Sequence, residues 1–199
     1  MRCCAEGSMN RFCASLCDET RRVMCAVSRE TKLKRGDIIS AAAVSDYVGI
    51  VQGGALAMMV NGSTAEGIVA SFVAFSGALG SIQRLAGEHG SHKAAFNEGD
   101  YGYALVPSSI CLVPLDTIRD LFVRDSDFAF KVFVQSTDQY RDALERLAHV
   151  GSLPVKDRVR WLFGTLEQHG VDTSRVTHEQ IAHVLGVNRV TVTKLMKSL

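Results

Sequence analysis

The 199-residue chain has little proline and no long hydrophobic run. Its three prolines are Pro107, Pro114 and Pro154, so nothing in the first half of the chain bars it from a β-sheet. No stretch of about 18 apolar residues exists, and the first residues, MRCCAEGSMNRFC, are polar. A membrane span and a secretory signal peptide are therefore not expected. The net charge is only +1, which excludes a general polycation, and we expect a cytoplasmic globular protein.

Cysteine, by contrast, is plentiful and unevenly placed. Structural disulfides are rare in cytoplasmic proteins, so six cysteines call for a metal, redox or packing role. Four of the six lie within the first 17 residues, at Cys3, Cys4, Cys13 and Cys17. The other two are Cys25 and Cys111.

The last 23 residues, THEQIAHVLGVNRVTVTKLMKSL, have the pattern of a helix-turn-helix. Gly186 is the turn glycine, and small Ala182 lies four residues before it, where two helices must approach closely. Thr177 and Asn188 are good helix N-caps. The side chains predicted to pack the two helices together are Ile181, Leu185, Val187, Val192 and Leu195. The pattern predicts a DNA-binding element; the alternative is a surface helical hairpin of an ordinary globular domain.

The predicted DNA contacts lie at the caps and on the outer face of the second helix. Arg189 can read guanine through O6 and N7, and Lys194 can reach a base or a phosphate. From Pro154 onward there are seven Lys or Arg against four Asp or Glu, a mild basic bias. The predicted contact set is Thr177, His178, Asn188, Arg189, Val190, Thr191, Thr193, Lys194 and Lys197.

The middle of the chain predicts a β-domain preceded by a short helix. The helix over residues 18 to about 28 has Asp18 as its predicted N-cap and Val23 and Val27 on its core face. From Lys32 to Pro114, short apolar runs alternate with glycine-bearing turns, including the hairpin signal Asn61-Gly62. This spacing predicts an antiparallel β-roll or barrel.

A helical region follows Pro114, with a short amphipathic helix over 115–122 and a longer one over 126–150. The longer helix repeats its seam residues at alternating three- and four-residue steps, which is typical of paired helices. It predicts a homodimer; the alternative is a helix packed on its own β-domain. The seam residues are Phe130, Phe133, Thr137, Tyr140, Leu144 and Leu147. A hinge over 151–154 and a helix to Gly170 precede the helix-turn-helix.

The predicted fold class is therefore α+β, in four parts. Residues 1–17 form a cysteine-rich segment, 18–125 a β-roll sensor domain, 126–150 a dimerisation helix and 151–199 the helix-turn-helix domain. This order resembles the Crp/Fnr superfamily of bacterial transcription regulators. The resemblance is carried by LKRGDIIS (33–40), VQGGALAMMV (51–60), SGALG (76–80), ICLVPLDTIRDLF (110–122) and VTHEQIAHVLGVNRVTVTKLMKSL (176–199).

The resemblance implies a β-roll like those of cupins and cyclic-nucleotide-binding domains. It implies a homodimer joined through the long helix, with each recognition helix in a major groove of a two-fold symmetric double-stranded operator. RNA polymerase is the implied partner, and no enzyme activity or membrane contact is implied. No acid/base set lies beside the cysteines in the sequence, so a metal-thiolate enzyme is not expected.

Three departures from the family pattern change these expectations. Ala78 stands where nucleotide-binding members have a glutamate for the ribose, and residues 88–90 (Glu-His-Gly) stand where an Arg-Ser pair holds the phosphate. Cyclic nucleotide is therefore disfavoured. Val190 replaces the glutamate beside the guanine-reading arginine, so the half-sites of the best-known members are not expected. The chain stops at Leu199, where members continue into a β-hairpin wing, so an incomplete wing and weaker DNA binding are expected.

The cysteines resemble those of the oxygen-sensing branch, in which three N-terminal cysteines and one from the β-domain hold a [4Fe–4S] cluster. Cys111 matches the setting of the distant ligand. The resemblance implies that it ligates with three of Cys3, Cys4, Cys13 and Cys17, although their CC-x8-C-x3-C spacing is looser than the family run. A second set, Cys13, Cys17 and Cys25, is disfavoured because Cys25 would lie inside a helix, from which a ligand does not easily reach the N-terminal loop. Four soft thiolates suit such a cluster.

Other readings of the cysteines and of the scaffold stay open. The thiols are alternatively a thiol–disulfide switch, ligands of zinc or haem, or incidental core residues. The same scaffold can instead sense a small organic effector in the β-roll. A further hypothesis is that the chain is a protein-interaction module that kept the scaffold and lost DNA binding.

Overall fold

The computed structural model describes residues 10–60, 70–75, 79–80 and 100–197. Its helices are α1 (Arg11–Ser15), α2 (Asp18–Val27), α3 (Leu115–Arg124), α4 (Ser126–Ser152), α5 (Val155–Gln168), α6 (His178–Leu185) and α7 (Arg189–Met196). Its strands are β1 (Arg29–Leu33), β2 (Ile38–Ser40), β3 (Tyr47–Gly53), β4 (Ala55–Val60), β5 (Ala70–Phe75), β6 (Leu79–Gly80), β7 (Tyr101–Ala104) and β8 (Ser108–Pro114). The hairpin signal at 61–62, Ala78, residues 88–90, Cys3, Cys4 and Leu199 lie outside the described residues.

The strands form two antiparallel four-stranded sheets, which confirms the predicted α+β class with an N-terminal β-domain. One sheet has the order β1-β8-β3-β6 and the other the order β2-β7-β4-β5. β4 pairs with β5, the next strand in the sequence, whereas β1 pairs with β8 and β2 with β7, which are distant in sequence. Such pairing brings the first and last strands of the β-domain together, so the helices that follow β8 begin beside the helices that precede β1.

Gly54 sets the turn between β3 and β4. Its φ of +87° lies in the left-handed region, and a Cβ there would lie 2.6 Å from the Pro107 carbonyl oxygen and nearer still to Ser108 Oγ. Ser108 Oγ donates to the Val106 carbonyl (2.8 Å) and accepts from the Ala55 amide (3.1 Å). Only a residue without a side chain fits this close approach of two backbones.

Helix α1 lies within the predicted cysteine-rich segment and packs on the β-domain. Asn10 is its N-cap, and the side-chain Nδ2 of Asn10 donates to the Val51 carbonyl at 2.6 Å. The Phe12 ring meets the Phe128 ring of α4 edge-on, with centroids 6.1 Å apart. Lys131 Nζ of α4 donates to the Ser15 carbonyl at 2.5 Å. The N-terminal segment is thus fastened to the first turns of the long helix.

Helix α2 differs from its prediction at its cap and at its buried face. The N-cap is Cys17, whose Sγ accepts from the Thr20 amide; Asp18 is the first helical residue and pairs with Arg21 instead. The predicted core face was also wrong, because Val23 is 43% exposed. The buried face carries Thr20, since Thr20 Oγ1 donates to Asp125 Oδ2 at 2.5 Å and turns that side of the helix inward.

Helix α4 continues through the predicted hinge, so that Gly151 and Ser152 are helical and the chain breaks at Leu153 and Pro154. It is the longest described helix, and none of the described helices is both long and apolar enough to cross a bilayer. Helix α5 then returns beside α4. Trp161 of α5 lies under the Arg146 guanidinium, 5.5 Å from it, and 5.2 Å from the His149 ring.

The C-terminal helices share one hydrophobic core with the sheet that contains β4 and β7. From the sheet side this core includes Ala57, Met59 and Leu105, and from the helical side it includes Leu162, Leu166, Ile181 and Val192. A second core lies under α1, α2 and the beginning of α4. The helix-turn-helix is therefore packed on the β-domain, and its burial depends on that sheet.

Candidate nucleic-acid interface

The helix-turn-helix forms as predicted, because its caps and its turn are set by local hydrogen bonds. Thr177 and Gln180 form a capping box: Thr177 Oγ1 accepts from the Gln180 amide (3.2 Å), and Gln180 Oε1 accepts from the Thr177 amide (2.9 Å). Gly186 ends α6 in the left-handed region at φ 61°. Asn188 Oδ1 then accepts from the Val190 amide at 2.8 Å and starts α7.

The two helices pack through the predicted apolar positions. Ile181 and Val192 are fully buried, and Ala182 and Leu185 nearly so. Val187 and Met196 are half-buried and pack against the same core, and Leu195 is half-buried. The close approach at Ala182 follows from its small side chain, and the Val187 amide donates to the Ala182 carbonyl at 2.9 Å. The orientation of α7 relative to α6 is therefore determined by packing and not by α7 alone.

The outer face of α7 is exposed and carries cations. Among the described residues, no carboxylate lies within ion-pair distance of Arg189, Lys194 or Lys197. Unpaired cations on one face of a second helix suit both base edges in a major groove and the phosphates beside it. The exposed members of the predicted contact set are Thr177, Asn188, Arg189, Val190, Thr191, Lys194 and Lys197.

The remaining two predicted contacts, His178 and Thr193, are half-buried and contact each other. His178 Nδ1 and Thr193 Oγ1 lie 3.2 Å apart. This pair joins the beginning of α6 to the middle of α7, so both side chains position the recognition helix whether or not they also meet DNA.

Gln180 has a second role that the sequence did not reveal. Its side chain is 3% exposed, and Nε2 donates to the carbonyls of Leu105 (2.9 Å) and Ala104 (3.3 Å), at the end of β7. Its Oε1 meanwhile completes the capping box. The pattern Thr-x-x-Gln signals the cap only, so the contact with β7, some 75 residues away, left no local trace.

A histidine and two tyrosines add to the contact between α6 and β7. His183 Nε2 lies 3.2 Å from the Tyr101 hydroxyl, and its ring meets the Tyr103 ring with centroids 5.3 Å apart. Burial raises the pKa of Tyr101, so its hydroxyl stays protonated at neutral pH. The first helix of the motif is therefore attached to the sheet by hydrogen bonds and ring contacts.

The predicted seam of α4 is an exposed apolar stripe. The buried residues of α4 are Phe128, Val132 and Arg146, and none of them belongs to the seam. Five exposed large apolar side chains on one helix form a contiguous surface of the kind that marks an interaction site. The six seam residues, all exposed, are Phe130, Phe133, Thr137, Tyr140, Leu144 and Leu147.

Arg146 lies on the other side of α4 and is 7% exposed. Burial lowers its pKa to about 10, so the guanidinium remains charged at neutral pH. Stacking on Trp161 offers the cation a favourable π face in place of some of its lost hydration. This contact belongs to the packing of α5 on α4.

Three cysteines line one small cavity between α1, α2, β3 and β8. Cys25 lies beside Met24 of the buried face of α2 and lines this cavity together with Cys13 and Cys111. No disulfide forms among the four described cysteines. The cavity is lined by Cys13, Leu16, Arg21, Met24, Cys25, Ile50 and Cys111.

Cys17, in contrast, is exposed and occupied as the cap of α2. Contacts of Cys17 Sγ with the Thr20 side chain and with the Thr20 backbone amide lower the pKa of Cys17 and favour its thiolate. Within the described ranges, no group of three or more His, Cys, Asp or Glu side chains is arranged to hold a metal ion. As placed, the described thiols of the predicted ligand set, Cys13, Cys17 and Cys111, do not fit a [4Fe–4S] cluster.

No protein-family model matches the chain, and no curated protein sequence matches it either. Solved structures do match over most of its length. They include a transcriptional regulator assigned to the Crp/Fnr family from Eubacterium rectale, at 14% identity and a TM-score of 0.65, which covers 93% of this chain and 84% of that one. At such identity the likeness shows a shared fold.

Two further structures have the same fold. FixK2 from Bradyrhizobium japonicum matches at 17% identity and a TM-score of 0.66, over 87% of this chain and 84% of that one. The c-di-GMP-responsive global regulator CLP from Xanthomonas campestris matches at 13% identity and a TM-score of 0.65, over 90% of each chain. The chain is thus structurally similar to Crp/Fnr regulators.

Proposed function

We propose that the chain is a DNA-binding transcription regulator of the Crp/Fnr type without enzymatic activity, which acts in the cytoplasm as a homodimer. The observation that carries the proposal is the exposed cationic face of α7, presented by a helix-turn-helix whose caps, turn and packing are all in place. The shared fold with Crp/Fnr regulators supports it. Double-stranded DNA and RNA polymerase are the proposed partners.

The recognition helix α7 enters the major groove and reads base edges with its first turns. Arg189 is placed to bind guanine, and Lys194 a base or a phosphate. Val190, 58% exposed, offers an apolar contact where an acid would accept from cytosine. The preferred half-site therefore differs from that of regulators with glutamate at this position.

Two substitutions on α7 test the recognition surface. A duplex is selected from a random-sequence pool with the wild-type protein, and affinities are compared for wild type, Arg189→Ala and Lys194→Ala. Loss of a bidentate arginine costs about 1–3 kcal/mol, or about 5–150-fold in affinity, and loss of a phosphate contact less. Arg22→Ala, which removes an exposed cation from α2, is the control and keeps wild-type affinity. Unchanged binding by both α7 variants would mean that another surface binds the duplex, or that the fold serves protein interactions.

The second copy of the chain packs on the apolar stripe of α4. A two-fold pair of helices buries the stripe and places two α7 helices on half-sites one turn of DNA apart, about 34 Å. Phe133→Glu puts a charge in this contact, and we expect it to sediment as a monomer at concentrations where the wild type is a dimer. Ile38→Glu alters an apolar residue of β2 that is equally exposed (61% against 65%) and leaves the dimer intact. A dimeric Phe133→Glu would show that the stripe serves another contact.

The thiols around the cavity are the proposed signal input. Two of them, Cys13 and Cys111, belong to the same core as Phe128 and Val132, the residues on the buried face of α4. A chemical change at Cys13 or Cys111 therefore alters the packing of the helix that carries the dimer stripe. Because the described thiols do not form a metal-binding group, thiol oxidation is the redox chemistry that this arrangement favours over an oxygen-labile cluster.

Protein isolated without air separates these inputs. If the protein is colourless, contains no iron or sulfide and changes its DNA affinity between reductant and peroxide, thiol oxidation is supported as the signal input. Cys111→Ala should then reduce the change in affinity. Iron and sulfide in equal amounts, with absorption near about 400 nm, would instead establish a [4Fe–4S] cluster. DNA binding that ignores both oxidant and cysteine substitution would point to an organic effector in the β-roll.

A further inference from the structure

The turn between β1 and β2 lies against the helix-turn-helix. Arg35 Nη1 donates to the Arg175 carbonyl oxygen at 3.2 Å, across 140 positions of sequence. Lys34, Arg35 and Arg175 are all exposed. This contact places two basic residues of the β-domain beside a basic residue that lies two positions before Thr177, the cap of α6.

One carbonyl holds this turn and α6 together. The Ala104 oxygen accepts both from the Gly36 amide (2.8 Å) and from Gln180 Nε2 (3.3 Å). Within the turn, the Lys34 amide donates to Asp37 Oδ2 at 2.8 Å. The position of the turn relative to α6 therefore rests on bonds to β7 and to Arg175, and not on the flexible side chain of Arg35 alone.

The turn continues the edge that a helix-turn-helix presents to the DNA backbone. In this motif the first helix crosses the backbone while the second enters the groove. Here the first helix begins at Thr177 and is tied to α7 through His178 and Thr193. Arg175 lies two positions before Thr177, and Arg35 contacts Arg175.

Two acids lie near these cations without forming an ion pair with them. Asp37 Oδ2 accepts from the Lys34 amide, and Asp172 Oδ1 accepts from the amide and hydroxyl of Ser174 (3.0 and 2.6 Å), although Arg175 contributes to the lowered pKa of Asp172. Among the described residues, no ion pair involves Lys34, Arg35 or Arg175. Exposed cations without a protein carboxylate partner are available to phosphates, whose bound counterions they release.

We propose that Lys34 and Arg35, together with Arg175, bind backbone phosphates of duplex DNA beyond the half-site that α7 reads. The β-domain is then part of the DNA-binding surface and not only a sensor. This inference rests on the proposed function and adds to it a second, sequence-independent contact region.

The test compares two lengths of the duplex selected by the wild-type protein. One ends at the half-sites, and the other extends about ten base pairs beyond each, or one helical turn. Affinity is measured over a range of salt concentrations for wild type, Lys34→Ala/Arg35→Ala and Arg22→Ala/Arg124→Ala. The last pair removes two exposed cations far from the turn and matches the change in charge.

On the long duplex, we expect the Lys34→Ala/Arg35→Ala variant to bind on the order of ten-fold more weakly. Its slope of log affinity against log salt should be shallower by about 1–2 for each protomer, since each phosphate contact contributes about 0.9. On the short duplex, the affinity of the Lys34→Ala/Arg35→Ala variant should equal that of the wild type. The control variant, Arg22→Ala/Arg124→Ala, should have wild-type affinity for both duplexes. Arg35→Lys keeps the charge and loses the planar donor to Arg175, so it should retain most of the slope.

Three results would overturn the inference or its premise. If the Lys34→Ala/Arg35→Ala variant binds the long duplex with the affinity and salt slope of the wild type, the proposed flanking contact does not exist, and the proposed function is unaffected. Equal losses on the short and long duplexes would show that the turn acts by positioning α6. A wild-type protein that selects no duplex at all would overturn the proposed function itself.

Discussion

The two ends of the chain both place short helices on the β-domain, but different forces position them. At the C-terminal end, α6 and α7 take their caps and their turn from residues within four positions of each other. At the N-terminal end, α2 takes its orientation from Thr20 and Asp125, which are 105 positions apart. Local signals determine where α6 and α7 begin and end, whereas a tertiary contact determines which face of α2 is buried.

The comparison also separates stability from reactivity. The C-terminal helices share a large core with one sheet, and their polar groups are mostly satisfied by neighbours in the motif or by β7. The N-terminal helices cover a smaller core and bring thiols to a small, partly open cavity. The C-terminal helices are therefore held on the β-domain by the larger core, and the N-terminal helices, which carry the thiols, by the smaller one.

A matched pair of core truncations tests this difference most strongly. Ile181→Ala removes a fully buried side chain from the shared core and should cost about 2–5 kcal/mol of unfolding free energy. Met24→Ala should cost less, at the low end of that range, because Met24 already borders a cavity and fewer neighbours lose contacts. Urea denaturation measures both, with exposed Val190→Ala as the control, expected within about 0.5 kcal/mol of wild type.

The same pair tests whether the C-terminal helices unfold with the sheet. Ile181→Ala should shift one cooperative transition seen by all probes, since the core crosses both regions. Two transitions, with only the helical one shifted, would contradict the shared core. A larger loss for Met24→Ala than for Ile181→Ala would reverse the comparison.

Gln180→Glu should have the next largest effect, about 1–3 kcal/mol. Glutamate keeps the capping box, which accepts Glu at this position, but replaces the amide donor that faces the Ala104 and Leu105 carbonyls. Burial raises the pKa of such a carboxyl, so the loss should grow as pH rises through that pKa and shrink as pH falls. Thr177→Ser, which keeps the cap and the contact with β7, is the control. Stability equal to wild type at all pH values would show that the contact with β7 is dispensable.

Alkylation rates should separate the cysteines at the other end. Cys17 is exposed and its pKa is lowered, whereas Cys13 and Cys111 are each 3% exposed. Iodoacetamide should therefore modify Cys17 on the order of ten-fold faster than either buried thiol, as followed by peptide mass spectrometry. In denaturant the three rates should converge. Fast modification of Cys111 in the folded protein would mean that the cavity opens readily.

The smallest expected effect is the pH dependence of the Cys17 cap. Its thiolate is favoured in the folded chain, so its folded pKa lies below the ordinary 9.0. The added stability is present above the unfolded pKa and is lost as pH falls through the folded pKa. The stability of the wild type relative to Cys17→Ser should therefore rise slightly as the pH is raised from neutral to above 9.0, as measured by thermal unfolding. A constant difference over this range would show that the thiol caps α2 without ionising.

What the sequence could predict follows the same division. Thr177, Gly186 and Asn188 each act on backbone groups a few residues away, so their residue types alone predicted the motif. The apolar stripe of α4 was predictable for the same reason, since its spacing repeats along one helix. The antiparallel β-domain followed from short strands at regular intervals, although the pairing of β1 with β8 did not.

The errors lie where a distant partner decides. Val23 and Val27 have core-like spacing, yet the bond between Thr20 and Asp125 turns the opposite side of α2 inward. The cap of α2 was predicted to be Asp18 because aspartate is a common N-cap, but the cap is Cys17, and thiol caps are uncommon. The contacts of Gln180 with β7 and of Arg35 with Arg175 leave no pattern in their own surroundings, so only the folded chain reveals them.

The turn at Gly54 has a consequence for how relatives of this chain can be recognised. At identities of 13–17%, substitution has erased most of the shared sequence, and few positions retain information. A Cβ at Gly54 would collide with the backbone at Pro107, whereas one at Gly36 or Gly186 would meet open space within 4 Å. Evolutionary drift can therefore place asparagine at the latter two turns but not at the first. A glycine that follows β3, paired with a small hydroxyl residue at the start of β8, is the trace that distant homologues should keep.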